Sequence, residues 1–363
     1  MSKISRMKCE NLHLGFLKWA LGIHRKASNI GTWGETGRYP LIFQSIKLTL
    51  NYLKRIENLK DESFVYATFQ EQRKLKPPWY CKLEPLLQID DLYNKDHVTA
   101  AATNSKNPET SLGLEHDIKL NNRTKISNFL IHNGFAKIPK NLKSASKFSE
   151  TSGLTLAKPI ASKQFAPAKI FDCLLDFFRR CWTWEKSKSS KLSFYHAIKN
   201  DFACEIYLQE ITNIDTRANL TKLRVSAHEL STEKGRYKNI PRDDRTCNWC
   251  TLTLNSPLIE DENHMLYKCD LYATSRKKLV NNITKHSTHN LTLTNTDDSF
   301  DFMTILSLTK QCVNGNNNGQ EQLPSDPQSE SQRHIRKEIA NFINNCFERR
   351  SKFLTDSNLL RAF

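Results

Sequence analysis

Four residues late in the chain constrain its folding more than any other feature. Cys247 and Cys250 are followed, after thirteen intervening residues, by His264 and, after four more, by Cys269, a C-x2-C-x13-H-x4-C spacing. Two cysteines separated by two residues can bind one ion from a tight turn, and a His and a Cys on the next element complete a tetrahedron. Thiolate and imidazole ligands with no open position describe a structural zinc site rather than a catalytic one. Two other readings stay open on spacing alone: buried thiols beside a surface His, and a redox C-x-x-C. The second is the weaker, because no alternation of strands and helices surrounds the pair.

Around that knuckle-like CCHC element the apolar residues recur at helical steps, which predicts a mainly α fold. Residues 1–76 form a basic helical segment, with one stripe at Leu12, Phe16, Leu17, Trp19, Ala20 and Ile23. A second stripe, Leu41, Ile42, Ile46, Leu50, Leu53 and Ile56, follows Pro40, which suits a first helical turn. Between them Asn29 to Pro40, with Gly31, Gly34 and Gly37, is expected to be a loop. A third helix is expected from near Asp61 to just before Pro77 and Pro78. Residues 77–166 are poor in apolar residues and are expected to form a disordered linker, in which only Ile126 to Phe135 offers anything to bury.

Residues 167–312 resume the helical pattern and contain the CCHC element. Ile170, Phe171, Leu174, Leu175, Phe178, Cys181 and Trp182 belong on one helix, and Phe194, Tyr195, Ile198, Phe202 and Ile206 on a second. Residues 313–332 form a polar linker. Residues 333–363 form an amphipathic helix whose apolar face is Ile335, Ile339, Phe342, Ile343, Cys346, Phe347 and Phe353, a candidate dock for a protein partner.

Charge points to the partner class. The chain carries 54 basic and 38 acidic side chains, a formal charge of +16, and residues 1–76 alone hold +8. Such an excess favours polyanions through phosphate neutralisation and counterion release, so RNA or DNA is the expected partner. Residues 217–240, immediately before the knuckle, interleave Arg217, Lys222, Arg224, His228, Arg236, Tyr237 and Lys238, types that contact phosphates and stack on bases. The same stretch also fits an amphipathic helix with Leu220, Leu223, Val225 and Leu230 inward and solvated charges outward. Arg25, Lys26 and Arg38 pose the same choice near the N-terminus.

Catalytic templates are missing. There is no phosphate-cradling glycine loop, no G-x-S-x-G and no H-E-x-x-H. Asp90-Asp91 lacks a partner carboxylate motif and is expected to start a helix. No stretch approaches the roughly 18 apolar residues of a membrane helix, and the N-terminal segment lacks the apolar core of a signal peptide. With ten cysteines and no secretory signal, reduced thiols in the cytoplasm or nucleus are expected, and Cys173, Cys181, Cys204 and Cys346 fit core positions. Neither a membrane nor a small-molecule substrate is expected.

Several blocks together resemble one family. FLKWALGIHRKASNIGTWGETGRYPL (residues 16–41) resembles a segment after the polymerase core of reverse transcriptases from non-LTR, LINE-like retrotransposons. LTKLRVSAHELSTEKGRYKNIPRDDRTCNWC, EDENHMLYKCDLYATSRKKL and FDFMTILS resemble, in the same order, the C-terminal region of those reading frames. The resemblance implies a piece lying downstream of the polymerase palm, without endonuclease or polymerase catalytic residues, hence not an enzyme. It also implies that Cys247, Cys250, His264 and Cys269 belong to a zinc-knuckle-like tail that helps hold nucleic acid. The thirteen-residue gap departs from the shorter gap of compact CCHC knuckles. A protein-interaction piece and a degenerate fragment without function are the alternatives.

Overall fold

The computed structural model describes residues 3–59, 62–78, 80–81, 167–286, 306 and 327–357. Among them every regular element is helical, and extended backbone pairs only at two isolated bridges, Thr36 with Cys204 and Thr246 with Ile259. The protein is therefore mainly α, as the apolar periodicity predicts. Asp90-Asp91, Ile126 to Phe135 and most of both expected linkers lie outside the described residues. No described helix is long and apolar enough to cross a membrane.

The helices are α1 (Lys3–Ala20), α2 (Asn29–Thr36), α3 (Leu41–Glu57), α4 (Phe64–Leu75), α5 (Pro167–Lys188) and α6 (Ser193–Ile198). They continue with α7 (Tyr207–Glu210), α8 (Ile214–Arg224), α9 (Ser231–Tyr237), α10 (Asn248–Leu254), α11 (Ala273–His286) and α12 (Pro327–Asp356). The chain divides into two compact units, one of residues 1–11 and 39–182 and the other of residues 12–38 and 183–363.

In the first unit, α3 buries Ile46, Leu50, Leu53 and Ile56 of the stripe expected after Pro40, but Leu41 is exposed, Ile42 is half-buried, and Phe43 takes the inward position at the start of the helix instead. Leu53 and Ile56 join Phe69 of α4 and Tyr80 in one cluster. Phe178 of α5 packs edge-on against Phe43, ring centroids 5.2 Å apart, and against Tyr39 at 5.4 Å. Arg179 closes this corner by donating to the Tyr39 hydroxyl at 2.7 Å.

The second unit is built on α12. Ile335, Ile339, Phe342, Ile343 and Cys346 are buried in a core shared with Leu220 and Leu223 of α8 and Leu279 and Ile283 of α11. This corrects the expectation that the face docks a partner: the unit's own α8 and α11 cover it. Two arginines of α12 are drawn inward as well. Arg336 grips Glu210 with two hydrogen bonds of 2.6 and 2.5 Å, and Arg350 grips Glu260 at 2.7 and 2.8 Å.

Residues 12–38, assigned to an N-terminal segment by sequence, belong to this second unit. Within it, Asn29–Thr36 is a helix rather than the expected loop, begun by the Ser28 side chain and ended by Gly37 at φ 60°. A glycine inside a helix costs about 1 kcal/mol relative to alanine. Gly31 packs tightly there: an added Cβ would lie 3.0 Å from the Val225 side chain, which would have to shift to admit it. The stripe expected on α1 is also split. Of its residues Leu17 and Ile23 are buried, while Leu12, Phe16, Trp19 and Ala20 remain exposed; Leu14 and Leu21, outside the expected stripe, turn inward with Leu17. The two sets lie on different faces, and only one meets the core.

The second helix expected over Phe194 to Ile206 breaks after Ile198. Lys199 is buried there, its Nζ reaching Glu205 and the carbonyl of Ala203, and Lys186 donates to the Lys199 carbonyl. These side-chain bonds hold the backbone extended where the pattern predicts helix. Cys204, expected in the core, is exposed.

Candidate metal centre and basic surface

Cys247 and Cys250 sit at the start of α10, which ends at Asn255 in the left-handed region (φ 49°). The loop ends are clamped: Cys247 N–H donates to Leu258 O at 2.7 Å and Glu260 N–H to Arg245 O at 2.9 Å. The chain then passes through one π-helical turn, His264–Lys268, which presents His264 at its start and Cys269 just beyond its end. Asp261 Oδ1 accepts from His264 N–H at 2.8 Å and fixes that start. Single π-helical turns of this kind are frequent at functional sites.

The four ligand atoms, all on buried residues, lie within 4.8 Å of one another. Cys269 Sγ is 3.9 Å from Cys247 Sγ and 3.8 Å from Cys250 Sγ, and Cys250 Sγ is 3.4 Å from His264 Nε2. In a tetrahedron with zinc–sulfur bonds of about 2.3 Å and a zinc–nitrogen bond of about 2.0 Å, the edges are about 3.8 Å between sulfurs and about 3.5 Å from sulfur to nitrogen. The observed edges match. Amide groups point at two of the sulfurs, Cys250 N–H at Cys247 and Leu271 N–H at Cys269. Outer hydrogen bonds of this type orient metal-bound ligands. His264 Nδ1 is buried without a hydrogen-bond partner. The residues present therefore fit a metal ion of zinc's size and preference.

The sulfurs are too close together to ionise independently. A hydrogen bond from the Cys269 thiol, aided by His264 and the Cys250 amide, holds Cys247 down to about 5 against burial. Burial and the Cys247 thiolate then push Cys250 up to about 11. Cys269 is pushed up as well, because it donates to Cys247 and is buried. Without a cation one thiolate forms and forbids the other two; a divalent ion removes that conflict.

A second arrangement lies elsewhere on the same unit. Tyr237, at the end of α9, is 48% exposed. Lys26 and Lys191 place their ammonium groups 5.8 and 5.2 Å from its ring centroid, and His24 meets it edge-on at 6.0 Å. Lys191 also donates to the Tyr237 hydroxyl at 3.0 Å. Glu233 pairs with Lys191 at 2.9 Å and with Arg236 at 3.0 Å, so one carboxylate faces several cations. Positive charge stays in excess. Lys18 is pushed down by burial and by the Lys191 ammonium, and His24 by burial and then Lys191, with Glu233 opposing and Lys18 and Lys26 adding to the effect.

No family model, curated protein or solved structure matches this chain.

The structure brings Cys247, Cys250, His264 and Cys269 together. It also gathers Lys26, Arg236 and Tyr237 with Lys191, while Arg25, Lys238 and Arg38 are exposed. Arg224 and His228 correct the expectation of solvent-facing contacts. Arg224 is fully buried, with Nε and Nη2 on Glu35 at 2.9 and 3.1 Å, Nη2 on Glu205 at 3.1 Å and Nη1 on Leu306 O at 2.9 Å. His228 is buried with Nε2 at 2.9 Å from Glu262 Oε1. Arg217 donates to the carbonyls of Ile211 and Leu208, and Lys222 to the Asn219 side chain. Lys191 and His24 escaped the sequence reading because only the tertiary fold carries them to Tyr237.

Proposed function

We propose that this chain is a noncatalytic nucleic-acid-binding protein whose second unit is held together by one structural zinc ion. The observation that carries this reading is the exposed Tyr237 ring set among Lys26, Lys191 and Arg236. An accessible aromatic face with a cationic rim suits a base and its phosphates better than it suits an acidic peptide. Cys247, Cys250, His264 and Cys269 would hold the zinc, tying α10 to the π-helical turn that leads into α11. The ion supplies folding energy, and the chain's own residues make the contacts with the ligand. The block resemblance supports placing the chain in the C-terminal region of a non-LTR retrotransposon reverse transcriptase, downstream of the polymerase.

Salt titration of the zinc-loaded chain on oligonucleotides tests the reading. Arg224 is buried and makes no phosphate contact, and Glu233 offsets part of the charge of Lys191 and Arg236, leaving Lys26 and Lys238 beside them. Three to four neutralised phosphates give a log–log slope of about −2 to −3 for a single strand. Metal analysis should find one zinc per chain, lost in Cys250→Ser, and a primer-extension assay should be blank. Absence of binding at low salt, or robust DNA synthesis, overturns the proposal.

A further inference from the structure

A cleft of about 70 Å³ is lined by Ser231, Lys234 and Lys238 of the α9 segment, by Asp244 and Arg245, and by Arg350. Lys234 and Lys238 are four residues apart, which places them on one side of the helix. Arg245 directs its guanidinium to the carbonyl oxygens of Thr232 and Ile240 at 2.7 to 2.9 Å, so no carboxylate cancels its charge there. It can cross α9 because residue 235 is glycine: a Cβ would lie 2.7 Å from the Arg245 side chain. Arg350 is neutralised by Glu260, Asp244 offsets one further charge, and Lys234 meets only the exposed Glu229 at 3.2 Å. The cleft is cationic on balance, and Lys238 in its wall is the chain neighbour of Tyr237.

We infer that this surface takes an unpaired nucleic-acid strand, with one base laid on the Tyr237 ring and the adjoining phosphate held between Lys234, Lys238 and Arg245. The inference rests on the nucleic-acid reading above and names the form of nucleic acid. In a duplex the base faces are hidden in the stack, and a half-exposed tyrosine has nothing to lie against. In a single strand each base offers a face, and stacking on an aromatic residue is sequence-tolerant. The exposed Lys26 has a flexible stem that can leave the ring for a phosphate oxygen as a base arrives, while Lys191 stays paired with Glu233.

The test uses the full zinc-loaded chain and fluorescence anisotropy with four probes: a 15-residue oligothymidylate, the matching oligouridylate, a 15-base-pair duplex and a 15-residue abasic strand. Tyr237→Ala is expected to weaken both base-bearing single strands by about 5- to 150-fold and to leave duplex and abasic binding within about two-fold. Tyr237→Phe keeps the ring and should retain tight binding. Lys234→Gln with Lys238→Gln should weaken every probe and reduce the salt slope on single strands by about 1.4. Circular dichroism and zinc content check that each variant is folded. Equal affinity for all four probes, with Tyr237→Ala changing none or all alike, overturns the inference and leaves a backbone-binding protein. Failure of the folded wild-type chain to bind any probe overturns the underlying reading, and the inference with it.

Discussion

Zinc binding to the reduced chain should release two protons at pH 7.5. Cys247, held at about 5 by the Cys269 thiol, is already a thiolate at that pH and has no proton to lose. Cys250, pushed up to about 11, and Cys269, pushed up by its bond to Cys247, are both protonated and must ionise to become ligands. The sign follows directly: raised thiol values make protons compete with the metal, so affinity grows as pH rises. Two protons make the binding constant change about 100-fold per pH unit, about 2.7 kcal/mol. Below about pH 5 Cys247 is protonated as well, and the dependence steepens further. Calorimetric titration in two buffers of different ionisation enthalpy counts the protons. A count of three would show that Cys247 is not held ionised by its neighbours. A count below one would show that Cys250 and Cys269 are ionised before the metal arrives or are not its ligands.

Arg224→Met should destabilise the zinc-loaded protein by about 3–5 kcal/mol in urea denaturation, since it strands the buried carboxylate of Glu35 and leaves Glu205 with Lys199 alone; a loss below about 1 kcal/mol would refute that role. Acid should weaken the fold through Glu262. Burial opposes its charge, yet hydrogen bonds from His228 and Ser226 pull it down to about 2. A depressed carboxyl stabilises the protein above its unfolded value and loses that contribution as pH falls from about 4.5 to about 2, on the order of 3 kcal/mol. Glu262→Gln should flatten that part of the stability–pH curve, and an unchanged curve would contradict the assignment.

The sequence was informative where a local rule acted alone. Ile46, Leu50, Leu53 and Ile56 of the α3 stripe and the cysteine–histidine spacing each depend on a pattern readable within one segment, and both appear as expected. Arg224 shows the opposite case. Its chemistry is that of a phosphate contact until Glu35 and Glu205 are brought against it, and nothing near residue 224 announces either carboxylate. The helix at Asn29–Thr36 was hidden for a related reason, since its Gly31 packs closely against Val225, far along the chain. On α1 two apolar stripes compete, and composition does not say which one the core will take.

The pairing of Glu35 with Arg224 also sets an order of events during synthesis. The two residues are separated by 189 positions. At a translation rate of about 5–20 residues per second, α2 leaves the ribosome roughly 10–40 s before its buried partner exists. Through that interval the Glu35 carboxylate must stay in water, and the inner face of α1, Leu14, Leu17 and Leu21, lacks its core. The second unit can therefore close only after its C-terminal helices have been made. A nascent chain stalled before residue 224 would present apolar surface to chaperones and proteases, whereas completion of the chain would withdraw it in a single late step.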